Sequence, residues 1–145
     1  MRFIMENNVL IFGHKNPDTD SITSALVMEN LERCIGNSNA KAVRTGNVNK
    51  ETQFVLNYLG MEAPELIDDV NDGQEVILVD HNESTQSPDN IANAKILKVV
   101  DHHTMKFIAP YQLYYRAEPV GCTQTVLYKM YRENGVDIDK KIATL

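Results

Sequence analysis

Short apolar runs, each long enough for one β-strand, alternate along this sequence with segments in which apolar residues recur at helical spacing. Strands that alternate with helices fold through strand–helix–strand crossovers, which place the strands parallel to one another. We therefore predict an α/β fold with a mostly parallel sheet that is flanked by helices on both faces. The chain has 145 residues, a usual size for one domain, and no repeat or linker-like segment divides it. Residues 1–145 are predicted to form a single domain.

Apolar spacing, caps and stop residues set the boundaries of the predicted elements. The predicted strands are Val9–Phe12, Ala40–Val43, Glu75–Val79, Ile96–Val100 and Leu113–Arg116. The predicted helices are Ser21–Cys34, Glu51–Leu59, Thr123–Glu133 and a last helix capped by Asp139. Ser87 followed by Pro88 is typical of a helix start and predicts a short helix to about Ala92. In the second helix, one face is expected to carry Phe54, Val55, Tyr58 and Leu59.

The charge of the chain limits what it can bind unaided. Its 20 acidic and 14 basic residues give a formal net charge of −6. Such a surface does not by itself attract nucleic acid or phosphate. We therefore predict no nucleic-acid partner, and a phosphate substrate would need positive charge from another source.

The cysteines and the apolar runs indicate a compartment. Cys34 and Cys122 lie far apart and lack the spacing of a zinc site or a redox pair, which is typical of a reduced, cytoplasmic protein. No secretory signal is visible, and no apolar stretch approaches the ~20 residues that span a bilayer. We expect a cytoplasmic protein without a membrane partner.

Histidines and aspartates gather at the ends of the predicted strands. All the histidines lie within three residues of a predicted strand end: His14, His81, His102 and His103. The carboxylates that follow the same strands are Asp18, Asp20, Asp80 and Asp101. Because the carboxyl ends of parallel strands meet at one edge of a sheet, these side chains should converge in one crevice. Any one of them alone is more typical of a turn or a helix cap, but three such loops together indicate a site.

Imidazole and carboxylate groups without thiolates suit borderline divalent ions such as Mn²⁺, Co²⁺, Fe²⁺ or Zn²⁺. Mg²⁺ alone is less expected, because it prefers oxygen ligands and keeps bound water. So many carboxylates at one edge would repel one another unless metal ions neutralised them. Two ions would also supply the positive charge that the composition lacks.

Several motifs resemble those of the family II inorganic pyrophosphatases, which belong to the DHH phosphoesterase superfamily. The matching segments, in chain order, are Phe12–Ile22, Val43–Gly46, Asn49–Thr52, Leu78–Glu83, Val100–His103 and Tyr114–Thr123. Nuclease members of the superfamily usually carry Asp-x-Asp-Ala-Xaa-Gly-Ser at the first loop. Here Asp18-Thr19-Asp20-Ser21-Ile22 stands instead, as in the pyrophosphatase branch.

The resemblance implies a metal site for two ions, Mn²⁺ or Co²⁺, and the hydrolysis of pyrophosphate to two phosphates, with Mg²⁺ as a counter-ion of the substrate. His14 and Asp18 resemble the ligands of one ion, and Asp20 and His102 those of the second. Asp80 resembles the carboxylate that bridges both ions, a catalytic position.

The resemblance also assigns two residues outside the set of metal ligands. His103 resembles the substrate-facing histidine, a catalytic residue that contacts the phosphate and assists proton transfer to the leaving group. Asp101 is expected to orient His102.

By the same resemblance, the chain is an N-terminal DHH metal-binding domain without the C-terminal domain that clamps the substrate, and it is expected to be a poor catalyst alone. A homodimer joined through a sheet edge near Tyr111–Ala117 is also implied. The alternatives are a DHH phosphoesterase acting on short oligonucleotides or cyclic dinucleotides, and a non-catalytic domain that binds metal or a partner.

Overall fold

A computed structural model describes residues 7–145. Six strands form one sheet in the order β3-β2-β1-β4-β5-β6, and every pairing is parallel. They are β1 (Val9–Phe12), β2 (Ala40–Arg44), β3 (Glu65–Leu66), β4 (Glu75–Val79), β5 (Lys95–Asp101) and β6 (Tyr114–Ala117). The prediction of an α/β fold around a parallel sheet is confirmed.

Three of the four α-helices among the described residues begin at a residue whose side chain caps the helix. The helices are α1 (Thr19–Cys34), α2 (Lys50–Leu59), α3 (Thr123–Glu133) and α4 (Lys140–Thr144). Asp18, Asn49 and Asp139 each accept a hydrogen bond from a backbone N–H of the first turn that follows, which satisfies a donor that has no partner within the helix. None of the helices in the described range is long and apolar enough to cross a membrane.

The two faces of the sheet have different covers. On one face, α1 and α3 pack over Ile11, Ile77 and Val100. The hydroxyl of Tyr131 on α3 donates to the Val27 carbonyl of α1 at 2.6 Å, which ties these helices together. The other face is covered by loops and by two single-turn 3₁₀ helices, whose apolar residues include Ile67, Val70, Ile91 and Ala94. The helical cover is therefore uneven.

The short helix predicted from Ser87 to Ala92 is wrong. Two 3₁₀ turns stand in this region, at Ser84–Gln86 and Ile91–Asn93, and Ser87 follows the first of them. The Ser87 side chain is buried, and its hydroxyl lies 2.7 Å from Nε2 of His81. Because this hydroxyl is engaged by His81, it does not cap a helix.

The face expected on α2 is not the buried one. Phe54 and Tyr58 are 71% and 76% exposed, whereas Thr52 and Leu56 are buried. On the buried side, Leu56 is fully enclosed, and the hydroxyl of Thr52 lies 3.0 Å from the hydroxyl of Thr19 at the start of α1. The strand β3 was not predicted, since two residues at a sheet edge give no apolar run.

The order of the strands reverses direction next to β1. The chain first builds β2 and β3 on one side of β1, and then crosses to place β4, β5 and β6 on the other side. In open parallel sheets the crevice at such a reversal is the usual ligand site, because neighbouring loops diverge there. Because β1, β4 and β5 are neighbours in the sheet, the loops that follow them line this crevice.

Gly13, directly after β1, allows α1 to approach this edge closely. A Cβ atom at this position would lie 2.8 Å from Cβ and 3.0 Å from Cα of Ser21. The backbone of α1 therefore leaves no room for a side chain on residue 13.

We expect Gly13→Ala to lower the free energy of unfolding by about 1–3 kcal/mol, since the added methyl group must displace α1. Gly121→Ala is the matched control, because a Cβ there would meet nothing within 4 Å. Urea denaturation of both variants gives the comparison. Equal stability of the two variants would show that the close approach of α1 costs nothing.

Candidate metal centre

The loop after β1 directs two side chains toward the crevice. Nδ1 of His14 lies 2.7 Å from the carbonyl of Lys15, so this nitrogen donates and Nε2 is left to face the site. Asp18 caps α1, accepting from the backbone nitrogen of Ser21 at 2.9 Å. His14 Nε2 lies 3.6 Å from a carboxylate oxygen of Asp18. Asn16 takes a positive φ of 51°, which turns the loop back on itself.

Asp80 lies at the centre of the arrangement, directly after β4. Its side chain is 1% exposed, and its φ of 58° is a left-handed conformation that a residue with a Cβ rarely adopts. One carboxylate oxygen, Oδ1, accepts from the hydroxyl of Thr123 and lies 3.1 Å from Nε2 of His102. The other, Oδ2, lies 3.3 Å from Nε2 of His14 and has no hydrogen-bond partner. A buried carboxylate with an oxygen left over is what a cation would satisfy.

His102 and Asp20 meet Asp80 from the side opposite His14. Nδ1 of His102 donates to the carbonyl of Val120 at 3.0 Å, which turns Nε2 toward the carboxylates. That Nε2 lies 3.5 Å from Oδ2 of Asp20. Asp20 also accepts from the backbone nitrogen of Thr123 at 3.0 Å. The loop before α3 therefore helps to hold both side chains.

Asp101 contacts the histidines differently from the expectation. Its Oδ1 accepts from the backbone nitrogen of His102 at 2.8 Å and from the ring Nδ1 of His103 at 2.7 Å. The ring of His102 is instead oriented by the carbonyl of Val120. Asp101 thus holds the ring of His103, and it touches His102 only through the backbone.

The protonation of these groups reflects the crowding of carboxylates. The carboxylate of Asp80, 3.3 Å from Nε2 of His14, raises the pKa of His14 to about 9, although burial acts in the opposite direction. Burial, and then the charge of Asp80, raises the pKa of Asp20. Burial alone would raise the pKa of Asp101, but hydrogen bonds from Asn82 and His103 outweigh it and leave that pKa below its ordinary value. Without metal the centre therefore retains protons that a bound cation would displace.

The donor set fits divalent metal ions. Ligand atoms of His14, Asp18 and Asp80 all lie within 4.8 Å of one another, and the same holds for Asp80, Asp101, His102 and His103. Nitrogen and oxygen donors in this mixture suit Mn²⁺, Co²⁺ or Zn²⁺. Asp80 belongs to both groups, and its Oδ2 has no hydrogen-bond partner. The five side chains predicted as metal ligands are thus brought to one centre, around Asp80.

An open cavity of about 430 Å³ adjoins the centre. Its walls are formed by the loops after β1, β4 and β5, and the residues that line it are His14, Asp80, His81, Asn82, Glu83, Gln86, His103, Thr104 and Lys106. The side chain of His103 is half exposed here. Because Nδ1 of its ring is held by Asp101, Nε2 is the nitrogen available to a ligand.

His81 differs from the other histidines at the strand ends. Its Nδ1 donates to the carbonyl of Val79 at 2.9 Å, and its Nε2 accepts from the hydroxyl of Ser87 at 2.7 Å. Burial lowers the pKa of His81 to about 4, so the ring is neutral. Both ring nitrogens have protein partners, and neither is free for a metal.

Sequence analysis missed Asn82, Val120 and Thr123 as parts of the centre. Each contributes an amide, hydroxyl or carbonyl that holds an ionisable side chain. Their positions within the motif segments Leu78–Glu83 and Tyr114–Thr123 were the only signal, since polar groups of these kinds also occur at ordinary turns.

Comparison with known proteins agrees with this geometry. Residues 8–145 match the model of the DHH family, N-terminal domain. A protein of Staphylococcus epidermidis named "Probable manganese-dependent inorganic pyrophosphatase" is 57% identical over 136 residues, which are 93% of this chain and 44% of that protein. A protein of the same name from Staphylococcus aureus is 58% identical over the same length. The chain therefore spans less than half the length of these relatives.

Solved structures have the same fold. One from Methanococcus jannaschii, assigned to the family II inorganic pyrophosphatases, superposes with a TM-score of 0.83 at 36% identity. The superposed region is 92% of this chain and 44% of the Methanococcus jannaschii chain. An exopolyphosphatase-related protein from Bacteroides fragilis, at 16% identity and a TM-score of 0.69 over 98% of this chain and 45% of its own, shares the fold. The chain thus belongs to the DHH family, and in sequence and fold it resembles the matching part of proteins named as inorganic pyrophosphatases.

Proposed function

We propose that this chain is the metal-binding domain of a manganese-dependent enzyme that hydrolyses inorganic pyrophosphate to two phosphates. The observation that carries the proposal is the buried carboxylate of Asp80, which has His14 on one side and His102 on the other. Two-metal hydrolysis of phosphate compounds places its ions about 3.5–4 Å apart, a separation that one shared carboxylate can span. The names of the Staphylococcus relatives support pyrophosphate as the substrate.

We assign two metal sites that share Asp80. His14 and Asp18 complete one site, and Asp20 and His102 complete the other, in agreement with their distances from Asp80 and from each other. Mn²⁺ or Co²⁺ suits these ligands, and Mg²⁺ serves as a counter-ion of the substrate. When bound, two such ions lower the pKa of water and offset charge on the phosphate oxygens.

His103 is the residue of this chain that we assign to contact with the substrate. Its ring forms part of the cavity wall beside Asp80, and Asp101 holds Nδ1 in the donating state. With Nδ1 protonated, Nε2 can accept a hydrogen bond from a phosphate hydroxyl, or donate one when the ring carries a second proton. His103 is therefore placed to hold a proton near the leaving phosphate.

The native gene product should release phosphate from pyrophosphate when Mn²⁺ or Co²⁺ is present, at about 100-fold or more the rate at which it cleaves a cyclic dinucleotide or a short oligonucleotide. The basis is the first-loop motif Asp18-Thr19-Asp20-Ser21-Ile22 and the names of the Staphylococcus relatives, which both favour the pyrophosphatase branch. Colorimetric phosphate assays and nucleotide chromatography compare the substrates, with chelator as the control. Faster cleavage of the dinucleotide would assign the site to the nuclease branch instead.

Replacement of the shared ligand should weaken metal binding most. We expect Asp101→Asn to reduce Mn²⁺ affinity by ~10–100-fold at most, as is typical of residues that contact a ligand but not the metal. Asp80→Asn should cost more, because one carboxylate serves two ions. Calorimetric titration of the 145-residue chain with Mn²⁺ measures both variants. Equal losses would contradict a bridging role for Asp80.

We also propose a homodimer in the cytoplasm. Both cysteines are free thiols, as expected in a reducing compartment. The strand β6 forms one edge of the sheet, and unpaired strand edges favour pairing with another chain. Tyr114 on this strand is 45% exposed, and Ile108 before it is 96% exposed.

Light scattering should therefore give a dimer mass for the chain, and Tyr114→Lys should shift it toward monomer, since a lysine on an edge strand opposes pairing. Tyr58→Lys is the control, because Tyr58 is also exposed but lies on α2. A monomer at every concentration, or equal effects of both changes, would argue against pairing through β6.

A further inference from the structure

Asn82 lies two residues after Asp80, and its side chain is buried, with 3% exposed. All its side-chain hydrogen bonds reach Asp101, the last residue of β5, or the segment that follows this strand. The amide nitrogen donates to Asp101 Oδ2 at 2.7 Å and to the carbonyl of Thr104 at 3.1 Å, and the amide oxygen accepts from the backbone nitrogen of Lys106 at 2.6 Å. Carboxylate and carbonyl oxygens can only accept, so the partners themselves fix the orientation of the amide. One side chain from the β4 loop thus holds the start of the β5 loop.

The hydrogen bonds of Asn82 form two arms, one through Asp101 and one through the backbone of Lys106. The first arm leads to His103. Asp101 is fully buried, and its Oδ1 accepts from the ring Nδ1 of His103 at 2.7 Å. Within residues 7–145, Asn82 is the only hydrogen-bond donor to the other oxygen, Oδ2. A buried carboxylate that loses a donor must rotate toward another group or become neutral. The orientation of the His103 ring therefore depends on Asn82 through Asp101.

The second arm leads to Lys106. This is the only lysine or arginine that lines the 430 Å³ cavity in the part of the chain that the structure describes. Its ammonium group lies 2.9 Å from Glu83, and the side chain is largely exposed. Because Asn82 binds the backbone nitrogen of Lys106, the same amide fixes the point on the cavity wall from which the lysine side chain extends.

We propose that Asn82 is a positioning residue, whose amide holds the His103 ring through Asp101 and holds Lys106 through its backbone, so that both groups face the same cavity. Its importance for turnover rests on the pyrophosphatase activity proposed above. Its effect on the ring of His103 does not rest on that activity and is measured separately.

A purely structural anchor is the alternative reading of Asn82, and the chain contains a matched example. Asn90 also binds the backbone of another loop, since its oxygen accepts from the nitrogen of Val70 at 3.1 Å and its nitrogen donates to the carbonyl of Val70 at 2.7 Å. Asn90 does not line the cavity. Asn90→Leu therefore removes a similar pair of hydrogen bonds without reaching the metal centre.

Two changes at Asn82 separate its arms. Asn82→Asp keeps an oxygen for the backbone nitrogen of Lys106 and removes the donors to Asp101 and Thr104, whereas Asn82→Leu removes all three hydrogen bonds. Because Asn82→Asp has nearly the shape of the natural residue, it provides the comparison if Asn82→Leu does not fold. Thermal unfolding of both variants and of Asn90→Leu measures the structural loss.

The ring of His103 gives the direct readout. In ¹⁵N–¹H spectra of the metal-free 145-residue chain, we expect the natural protein to show the neutral ring protonated at Nδ1. Asn82→Asp and Asn82→Leu should give a mixture of the Nδ1 and Nε2 tautomers, and Asn90→Leu should not. An unchanged His103 signal in a folded Asn82 variant would overturn the proposal.

Turnover gives the second readout, in the native gene product with Mn²⁺ and pyrophosphate. We expect Asn82→Asp to lower kcat by about 10–100-fold, with KM within about threefold of the natural value. Asn82→Leu should also raise KM, because Lys106 is released. Losses no larger than those of Asn90→Leu would reduce Asn82 to a structural anchor. If the natural protein does not hydrolyse pyrophosphate, the proposed function fails, and the His103 spectra alone decide the role of Asn82.

Discussion

The buried carboxylate of Asp80 is the feature on which the rest of the structure depends. A charge with 1% exposure is costly unless other groups compensate it, and here the compensation comes from separate parts of the chain. His14 follows β1, His102 follows β5, and Thr123 begins α3. A parallel sheet that reverses its order beside β1 brings these segments together, so the topology and the site are parts of one solution.

The sequence predicted the sheet and the converging residues because both follow from simple rules. Strands within a parallel sheet are apolar throughout, as Val9–Phe12 is, and their carboxyl ends share an edge. The burial of α2 does not follow from such rules. Helical spacing allowed a face with Phe54 and Tyr58, but the contact of Thr52 with Thr19 turned the opposite side inward. That side also carries Leu56, which is fully buried, so one apolar residue and a contact with a distant segment define the buried face.

The hydrogen-bond partners of the ionisable side chains also could not be predicted from the sequence. The family resemblance implied that Asp101 orients the ring of His102, its neighbour in the chain. In the fold, two successive residues point in different directions, so the Asp101 carboxylate holds His103 while the carbonyl of Val120 holds His102. Residue identity indicates which groups can bind a metal or a proton. Which carbonyl or carboxylate orients which histidine depends on the paths of loops, such as the one from β6 to α3. Only the tertiary structure defines these paths.

Because the two faces of the sheet are covered differently, they differ in how easily the backbone over them opens locally. The face under α1 and α3 is held by long, regular helices, whereas the face opposite depends on 3₁₀ turns and loops with few repeating hydrogen bonds. Local opening costs least where the backbone is least regular. Asp18 and Asp20 therefore belong to the stiff half of the molecule, and the cavity wall around Lys106 belongs to the compliant half. A ligand that enters the crevice meets one fixed wall and one wall that can adjust to it.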